Sequence, residues 1–394
     1  MDLEKYFDYA AATPLSDTAQ KAMQPYLGDK FYNPSSNYLA AIEVKKAVNQ
    51  ARADIADLLG ARPSEVIFTA GGTESCNLAI SGIMNKHTDG ELIVSSIEHA
   101  AVAETADYWE QSGRKVVRTT VDQRGQLDMK KPEASISSQT VLISIIHSHN
   151  EIGVIQNLNK IAEVIAKVRA NRKTTGNELP LYLHTDACQS ANYLDLHIKR
   201  LGVDLMTINS AKVSGPKQVG ALFVRAGIEL SPIIHGGGQE RGWRGGTENP
   251  AGVIGFAAAL TKAQKVRRQA TEHARQLRDE FLAELEKQQL DYQLNSSLKN
   301  SLPSIVSLSF AGLDGEQLVM ALDQEGFAVA TGAACSEDTG GPSESLLAIG
   351  LDKETASGTL RISFGPANTP QSVVALAQAI KNAVGLVTEL QPQA

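Results

Sequence analysis

VDLMTINSAKVSGPKQVGALFVR, residues 203–225, is the stretch whose reading decides the fold. Residues 203–208 are apolar and rich in β-formers, so they read as a buried strand. Ser210, Lys212 and Ser214 break that run, and Gly215-Pro216 forbids the strand from continuing. A second apolar strand, 219–225, follows at once. Lys212 therefore stands in a small-residue turn at the mouth of a buried sheet. A lysine desolvated there loses its proton far below its free pKa of about 10.4 and becomes a nucleophile toward carbonyl carbon. An isolated loop lysine is ordinarily solvated. The reason to read Lys212 otherwise lies in the rest of the chain.

Outward from that stretch, strands and helical stretches alternate. SEVIFTA (64–70), TESCNLAISGIMNK (73–86), ELIVSS (91–96), EHAAVAETADYWEQSG (98–113), KVVRTTVD (115–122), QTVLISIIH (139–147), NKIAEVIAKVRANR (159–172) and LYLHTDA (181–187) keep one rhythm. Such alternation predicts right-handed crossovers and an α/β fold with a mostly parallel sheet covered by helices on both faces. Before it come a strand-like FDYAAA (7–12), a helix after Thr13-Pro14, a turn at 32–36, and a helix from Ala40 to Leu59 stopped by Gly60. After Gly255 one long helical stretch, 256–289, leads to a smaller α+β C-terminal domain. That domain holds PSIVSLSF (303–310), DGEQLVMALDQEG (314–326), a glycine-rich loop with Cys335, TLRISFG (359–365) and a final amphipathic helix. The expected division is a large domain over 15–257 and a small domain from 1–14 and 258–394.

The totals exclude several classes. At 394 residues, 42% hydrophobic and 21% charged, the chain is an ordinary globular one with a net charge of -7. No basic excess offers a nucleic-acid or acidic-membrane surface. The densest basic run, KVRANRK (167–173), reads as a solvated helix end whose cations suit the dipole. Cys76, Cys188 and Cys335 are odd in number and far apart, so no disulfide framework is implied. No apolar run approaches membrane-spanning length and no secretory leader is present, which reads as a cytoplasmic protein. No metal site is expected.

In α/β sheets, ligands gather at the carboxyl ends of strands. Thr69-Ala70-Gly71-Gly72-Thr73 opens a helix after one strand, and free amides there suit a phosphate. Glu98-His99 brings an imidazole to the mouth, although a helix-start histidine is more often a cap. Ser148-His149-Asn150-Glu151-Ile152-Gly153 follows another strand, and Asp186-Ala187-Cys188-Gln189 another. An aspartate ending an apolar strand is costly to bury and calls for a cationic partner. Pyridoxal phosphate meets all these features together. Its aldehyde needs a lysine, its pyridine nitrogen a carboxylate, its phosphate a glycine and hydroxyl helix start, and its ring a stacking partner. Lys212 follows Asp186 by one short crossover, so the two stand at neighbouring strand ends.

FDYAAATP, YNPSS, VIFTAGGTESCNLAI, EH at 98–99, HNEIGVIQ, HTDACQS, SAKVSGPKQVGAL, GGGQERGWRGGTEN, ATGAAC and LRISFG together resemble the NifS/IscS-type cysteine desulfurases. These belong to the class V, fold type I group of pyridoxal-phosphate-dependent aminotransferases, and the resemblance runs through nearly the whole chain. It implies that Lys212 condenses with the cofactor aldehyde and later moves the Cα proton. Asp186 then pairs with the pyridine nitrogen, Gln189 and Asn150 lie near the ring hydroxyl, and His99 stacks on the ring and acts in proton transfer. Gly72, Thr73 and Asn209 lie at the phosphate. Thr247 reaches the phosphate of the other subunit, which implies a homodimer. Arg361 clamps the substrate carboxylate, which Asn150 also faces. Cys335, among small polar residues, takes the sulfur of L-cysteine as a persulfide and leaves alanine, then passes it to an acceptor protein for iron–sulfur cluster assembly or tRNA thiolation. Cys76 and Cys188 read as packed thiols.

Three positions depart from that pattern. Ala211 stands where the family usually has histidine, Asn209 where a phosphate-binding serine is common, and Asn37-Tyr38 where many members carry histidine. The first two imply weaker cofactor binding than is typical. Two other readings stay open: a selenocysteine lyase or another class V aminotransferase, and a pyridoxal-phosphate-binding regulatory or assembly subunit with little turnover.

Overall fold

The computed structural model describes residues 2–128, 134–332 and 341–390. Short apolar, β-branched runs bounded by polar turns become strands. These are β1 Val66–Thr69, β2 Glu91–Ser95, β3 Val116–Thr119, β4 Thr140–Ser144, β5 Tyr182–Asp186, β6 Leu205–Asn209 and β7 Gly220–Val224. They make one seven-stranded sheet in the order β1-β7-β6-β5-β4-β2-β3. The run β6-β5-β4-β2-β3 is parallel, and β7 lies antiparallel to both neighbours. Every residue of β4 and β7 is buried, as a sheet covered on both faces requires. Leu78, Ile83 and Val102 of helices Gly72–Lys86 and Ala100–Gln111 pack on one face. Ile55 and Leu59 of helix Leu39–Leu59, Ile161 of Leu158–Thr175 and Phe256 of Pro250–Lys287 pack on the other.

A second sheet joins β8 Gln293–Leu294, β9 Ile305–Ser309, β10 Ala330–Thr331 and β11 Thr359–Ser363 in the order β10-β11-β9-β8, all antiparallel. Its core takes Phe7 from the start of the chain and Val373, Leu376 and Ile380 from the last helix, Pro370–Leu390. Helix Pro370–Leu390 is long and apolar enough by composition to cross a membrane, contrary to the expectation of no such run. Its apolar stripe instead packs into this core. Helix Pro250–Lys287 serves both cores, giving Val253, Phe256 and Leu260 to the large one and Leu277, Phe281 and Leu285 to the small one.

Two local expectations are corrected. FDYAAA is not a strand: only Tyr6 and Asp8 make isolated bridges, to Ala328 and Ser363, and residues 9–11 turn. The basic run 167–173 is not a solvated face throughout. Arg172 is 5% exposed and donates to the carbonyls of Ser137, Thr140, Leu179 and Pro180. Arg169 pairs with the buried Asp204. Engaging both terminal nitrogens of a guanidinium with backbone acceptors offsets its desolvation, so helix periodicity alone misplaces it.

Candidate active site

The parallel order puts the carboxyl ends of β1, β2, β4, β5 and β6 along one edge, and each end delivers a polar group to one cavity of about 220 Å³. Its lining includes Gly72, Thr73, His99, Ser148, Asn150, Asp186, Cys188, Gln189, Asn209, Lys212 and Arg361. A larger cavity of about 320 Å³ shares Gln189 with it, but its walls are mostly apolar, among them Pro14, Val266 and Phe364. Convergent polar groups mark the smaller one as the site.

After β1 the chain turns through Gly71 and enters helix Gly72–Lys86. Gly220 of β7 permits this: a Cβ there would lie 2.7 Å from the Gly71 carbonyl carbon. The helix start therefore sits against the sheet edge with its amides toward the cavity. Asn209, ending β6, uses Oδ1 to accept from the Ala211 amide at 3.2 Å. Its Nδ2 is thereby turned toward Gly72, 3.4 Å from where a Cβ of that glycine would stand. The two positions thus offer donors at one spot.

After β2, His99 caps helix Ala100–Gln111, its Nδ1 accepting from the Ala101 amide at 3.0 Å. The bland role and the functional one coincide, because the same ring lines the cavity. With Nδ1 occupied as acceptor, the neutral ring carries its proton on Nε2. Burial, then Lys212 and Arg361, hold the His99 pKa below the ordinary histidine value despite Asp186. After β4, the HNEIG turn depends on Gly153 at φ +73°, where a Cβ would meet the Leu302 carbonyl at 3.2 Å. That turn leaves Asn150 Oδ1 buried without a hydrogen-bond partner among the described residues. Glu151, pushed up to about 7 by burial, accepts from Ser343 Oγ at 2.5 Å, and His149 Nε2 meets Ser345 Oγ at 3.0 Å. The turn is thereby tied to helix Glu344–Ala348.

Asp186 ends β5, and among the described residues no salt bridge reaches it. Its Oδ1 accepts from the Cys188 amide at 2.9 Å, and Cys76 Sγ lies 3.8 Å from Oδ2. The amide two residues on satisfies one oxygen of the carboxylate in a local turn. Burial, then Asp186, push the Cys76 and Cys188 thiols well above their usual pKa, so both are unreactive at neutral pH, as packed thiols should be. Lys212 ends the turn Ser210–Lys212 after β6, one strand over from Asp186. Its Nζ donates to the carbonyls of Ala10 and Ala11 at 2.9 and 2.6 Å, and Gln189 Nε2 donates to Ala10 O at 2.8 Å. The 9–11 turn, misread as strand, supplies these acceptors.

Arg361 of β11 is 3% exposed. Its Nη2 donates to Asp8 Oδ1 at 2.7 Å and its Nη1 to Asn150 O at 3.3 Å, while Nε has no partner among the described residues. One expected residue among those described is not in this group. Thr247 lines another cavity, with Gln218 and Glu248, and Cys335 lies outside the described residues. Sequence reasoning gives no role to Asp8, an acid between Phe7 and Tyr9, or to Glu98 itself, which directly precedes His99.

These groups fit pyridoxal phosphate. The helix start with Asn209 Nδ2 suits its phosphate, and Asp186 faces the same space as Lys212. The orphaned Asn150 Oδ1 supplies an unmet acceptor for a ligand donor.

Comparison with known proteins agrees. The family model Aminotransferase class-V matches residues 5–376. The protein called cysteine desulfurase IscS in Dictyoglomus turgidum is 40% identical over 375 residues, 95% of this chain and 92% of that one. A solved structure described as a NifS-like protein superposes with a TM-score of 0.89 at 31% identity, over 97% of this chain and 100% of the other. Another, described as SspA in complex with cysteine, gives 0.80 at 35% identity, over 93% and 100%.

Proposed function

Because the chain belongs to the aminotransferase class-V family of pyridoxal-phosphate enzymes, we propose that it is a cysteine desulfurase converting L-cysteine to L-alanine and passing the sulfur onward. The observation that carries this reading is the meeting of Lys212, Asp186, His99, Asn150 and Arg361 around one cavity. Bound there, pyridoxal phosphate supplies an electrophilic aldehyde and a ring that takes up the electron pair left when a Cα proton departs. Asp186 would hold the ring nitrogen protonated, Lys212 would carry the Cα proton, and His99 would stack on the ring and act in proton transfer. The Gly72–Thr73 amides and Asn209 Nδ2 hold the phosphate. Gln189 and Asn150 serve the ring hydroxyl, and Arg361 takes the substrate carboxylate.

Cys335 decides between reactions. As a thiolate it attacks the substrate sulfur; the S–S bond forms while the C–S bond breaks, and that bond's electron pair stays with the carbon fragment that becomes alanine. Neither a selenocysteine lyase or aminotransferase nor an inert binding subunit is favoured by relatives named cysteine desulfurase. L-Cysteine with a thiol reductant is expected to give equal sulfide and alanine from the wild type. Cys335→Ser is expected to lose about 10²-fold or more of both, while amino transfer to a keto acid without sulfide would overturn the reading.

The finer assignments belong to the same proposal. Thr247 lies away from its own chain's site, which supports a homodimer in which it serves the partner's phosphate site. The acceptor is a scaffold or sulfur-relay protein in iron–sulfur cluster assembly or tRNA thiolation. Unpaired, widely spaced cysteines suit the reducing cytoplasm. The large unit is taken as 15–257 and the small one as 1–14 with 258–394. Ala211 leaves one phosphate donor absent, so Ala211→His is expected to tighten pyridoxal phosphate about tenfold, the worth of one charge-assisted bond. Fluorescence titration of the apo-protein checks this, and equal affinities would refute it.

A further inference from the structure

We propose that Glu98 is a brace, working without charge, that positions His99 and the Ser148–Asn150 loop against the cofactor ring. The inference rests on the pyridoxal-phosphate reading and adds a positioning residue to it. Glu98 is 7% exposed. Its Oε1 accepts from Ser95 Oγ at 2.5 Å, at the end of β2, and from the Ile146 amide at 2.9 Å, just past the end of β4. The two strands are sheet neighbours, so a single oxygen ties their carboxyl-end loops together. His99 is the next residue in one loop, and Ser148 and Asn150 follow Ile146 in the other; all three line the cavity.

Glu98 Oε2 is buried and has no hydrogen-bond partner among the described residues. The titratable groups that bear on the carboxyl and its surroundings are Asp186 and the Cys76 thiol, neither of which supplies a cation. An anion here would be buried without a compensating cation, whereas a neutral acid keeps the two bonds that Oε1 accepts and leaves one hydroxyl, a far smaller cost than a charge, unpaired at Oε2. Consistently, burial, reinforced by Asp186 and opposed by the Ser95 and Ile146 bonds, pushes its pKa up to about 8. What the brace requires is a carbonyl-type oxygen at glutamate reach, and a glutamine amide supplies one.

The test compares holoenzymes of wild type, Glu98→Gln, Glu98→Ala and Ser95→Ala, with Lys212→Ala as spectral blank. The readouts are the visible band of bound pyridoxal phosphate and the rate of its loss on dilution. Glu98→Gln is expected to keep the band and lose cofactor within about threefold of the wild-type rate. Glu98→Ala should lose it at least about tenfold faster with a displaced band, and Ser95→Ala should fall between. A glutamine variant as impaired as the alanine one overturns the brace, because charge would then be the requirement. An alanine variant matching wild type also overturns it. Should Glu98→Ala fail to fold by circular dichroism, Ser95→Ala decides, and release no faster than wild type overturns the brace. A wild type without the band overturns the cofactor reading, and this inference with it. The band present alongside a failing pattern overturns the brace alone.

Discussion

Lys212→Ala is expected to lower alanine formation from L-cysteine by at least about 10⁴-fold and to abolish the visible absorbance of the purified protein. Lys212 contributes the single primary amine among the residues lining the cavity. A lysine side chain ordinarily retains up to about 2 kcal/mol of rotamer freedom. Here the Ala10 and Ala11 carbonyls hold its Nζ at 2.9 and 2.6 Å, so much of that ordering precedes the reaction. Lys212→Arg should fare no better, because a guanidinium stays protonated and is no nucleophile. Borohydride reduction followed by proteolysis gives an independent reading: the fixed cofactor should travel with the peptide containing Lys212. Alanine formation above about 1% of wild type in a folded Lys212→Ala protein would sink the assignment.

How much of this the chain disclosed depends on whether the relevant partner is local. The strands ending at Asp186 and Asn209 were legible because each is an apolar run closed by a polar residue, and a short crossover leaves two such strands adjacent. His99 and the Gly72 helix start were legible for the same reason, since a cap and a glycine turn write themselves into neighbouring positions. Arg172 was not, because the four carbonyls that bury it come from residues 137, 140, 179 and 180, and nothing in its helical spacing announces them. FDYAAA has only two β-forming aromatics before its alanines, and it turns at 9–11, where the Ala11 and Ala12 amides donate to the Asp8 carbonyl and the Ala10 and Ala11 carbonyls accept from Lys212, some 200 residues on. Asp186 calls for a cation; the Cys188 amide two residues away meets one of its oxygens, and the cofactor's ring nitrogen is the cationic partner that the proposed function gives it. Asp8 and Glu98 have their partners, Arg361 and the Ile146 amide, on distant elements, so only the fold shows what each buried carboxyl does.

Asp8 makes the test of Arg361 informative. Arg361→Ala is expected to reduce kcat/KM for L-cysteine by about 10²- to 10³-fold, mostly through KM, since truncating one side of a buried charge pair costs about 2–5 kcal/mol. The guanidinium is placed for this: Nε is unpartnered among the described residues, and the 3.3 Å bond from Nη1 to Asn150 O is long enough to yield to a carboxylate. The same substitution strands Asp8, whose side chain is 20% exposed, and should lower stability by about 3 kcal/mol. Stability and substrate binding are separated by the double variant Asp8→Asn/Arg361→Ala. It should regain much of the lost Tm, because no carboxylate is left unpaired, yet recover none of the lost kcat/KM. Cysteamine, which is cysteine without its carboxylate, adds a second axis. The wild type should prefer cysteine over cysteamine strongly, and Arg361→Ala should lose most of that preference by weakening on cysteine alone. Recovery of kcat/KM together with Tm in the double variant, or an unchanged preference in Arg361→Ala, would reduce Arg361 to a strut between Asp8 and the Asn150 carbonyl.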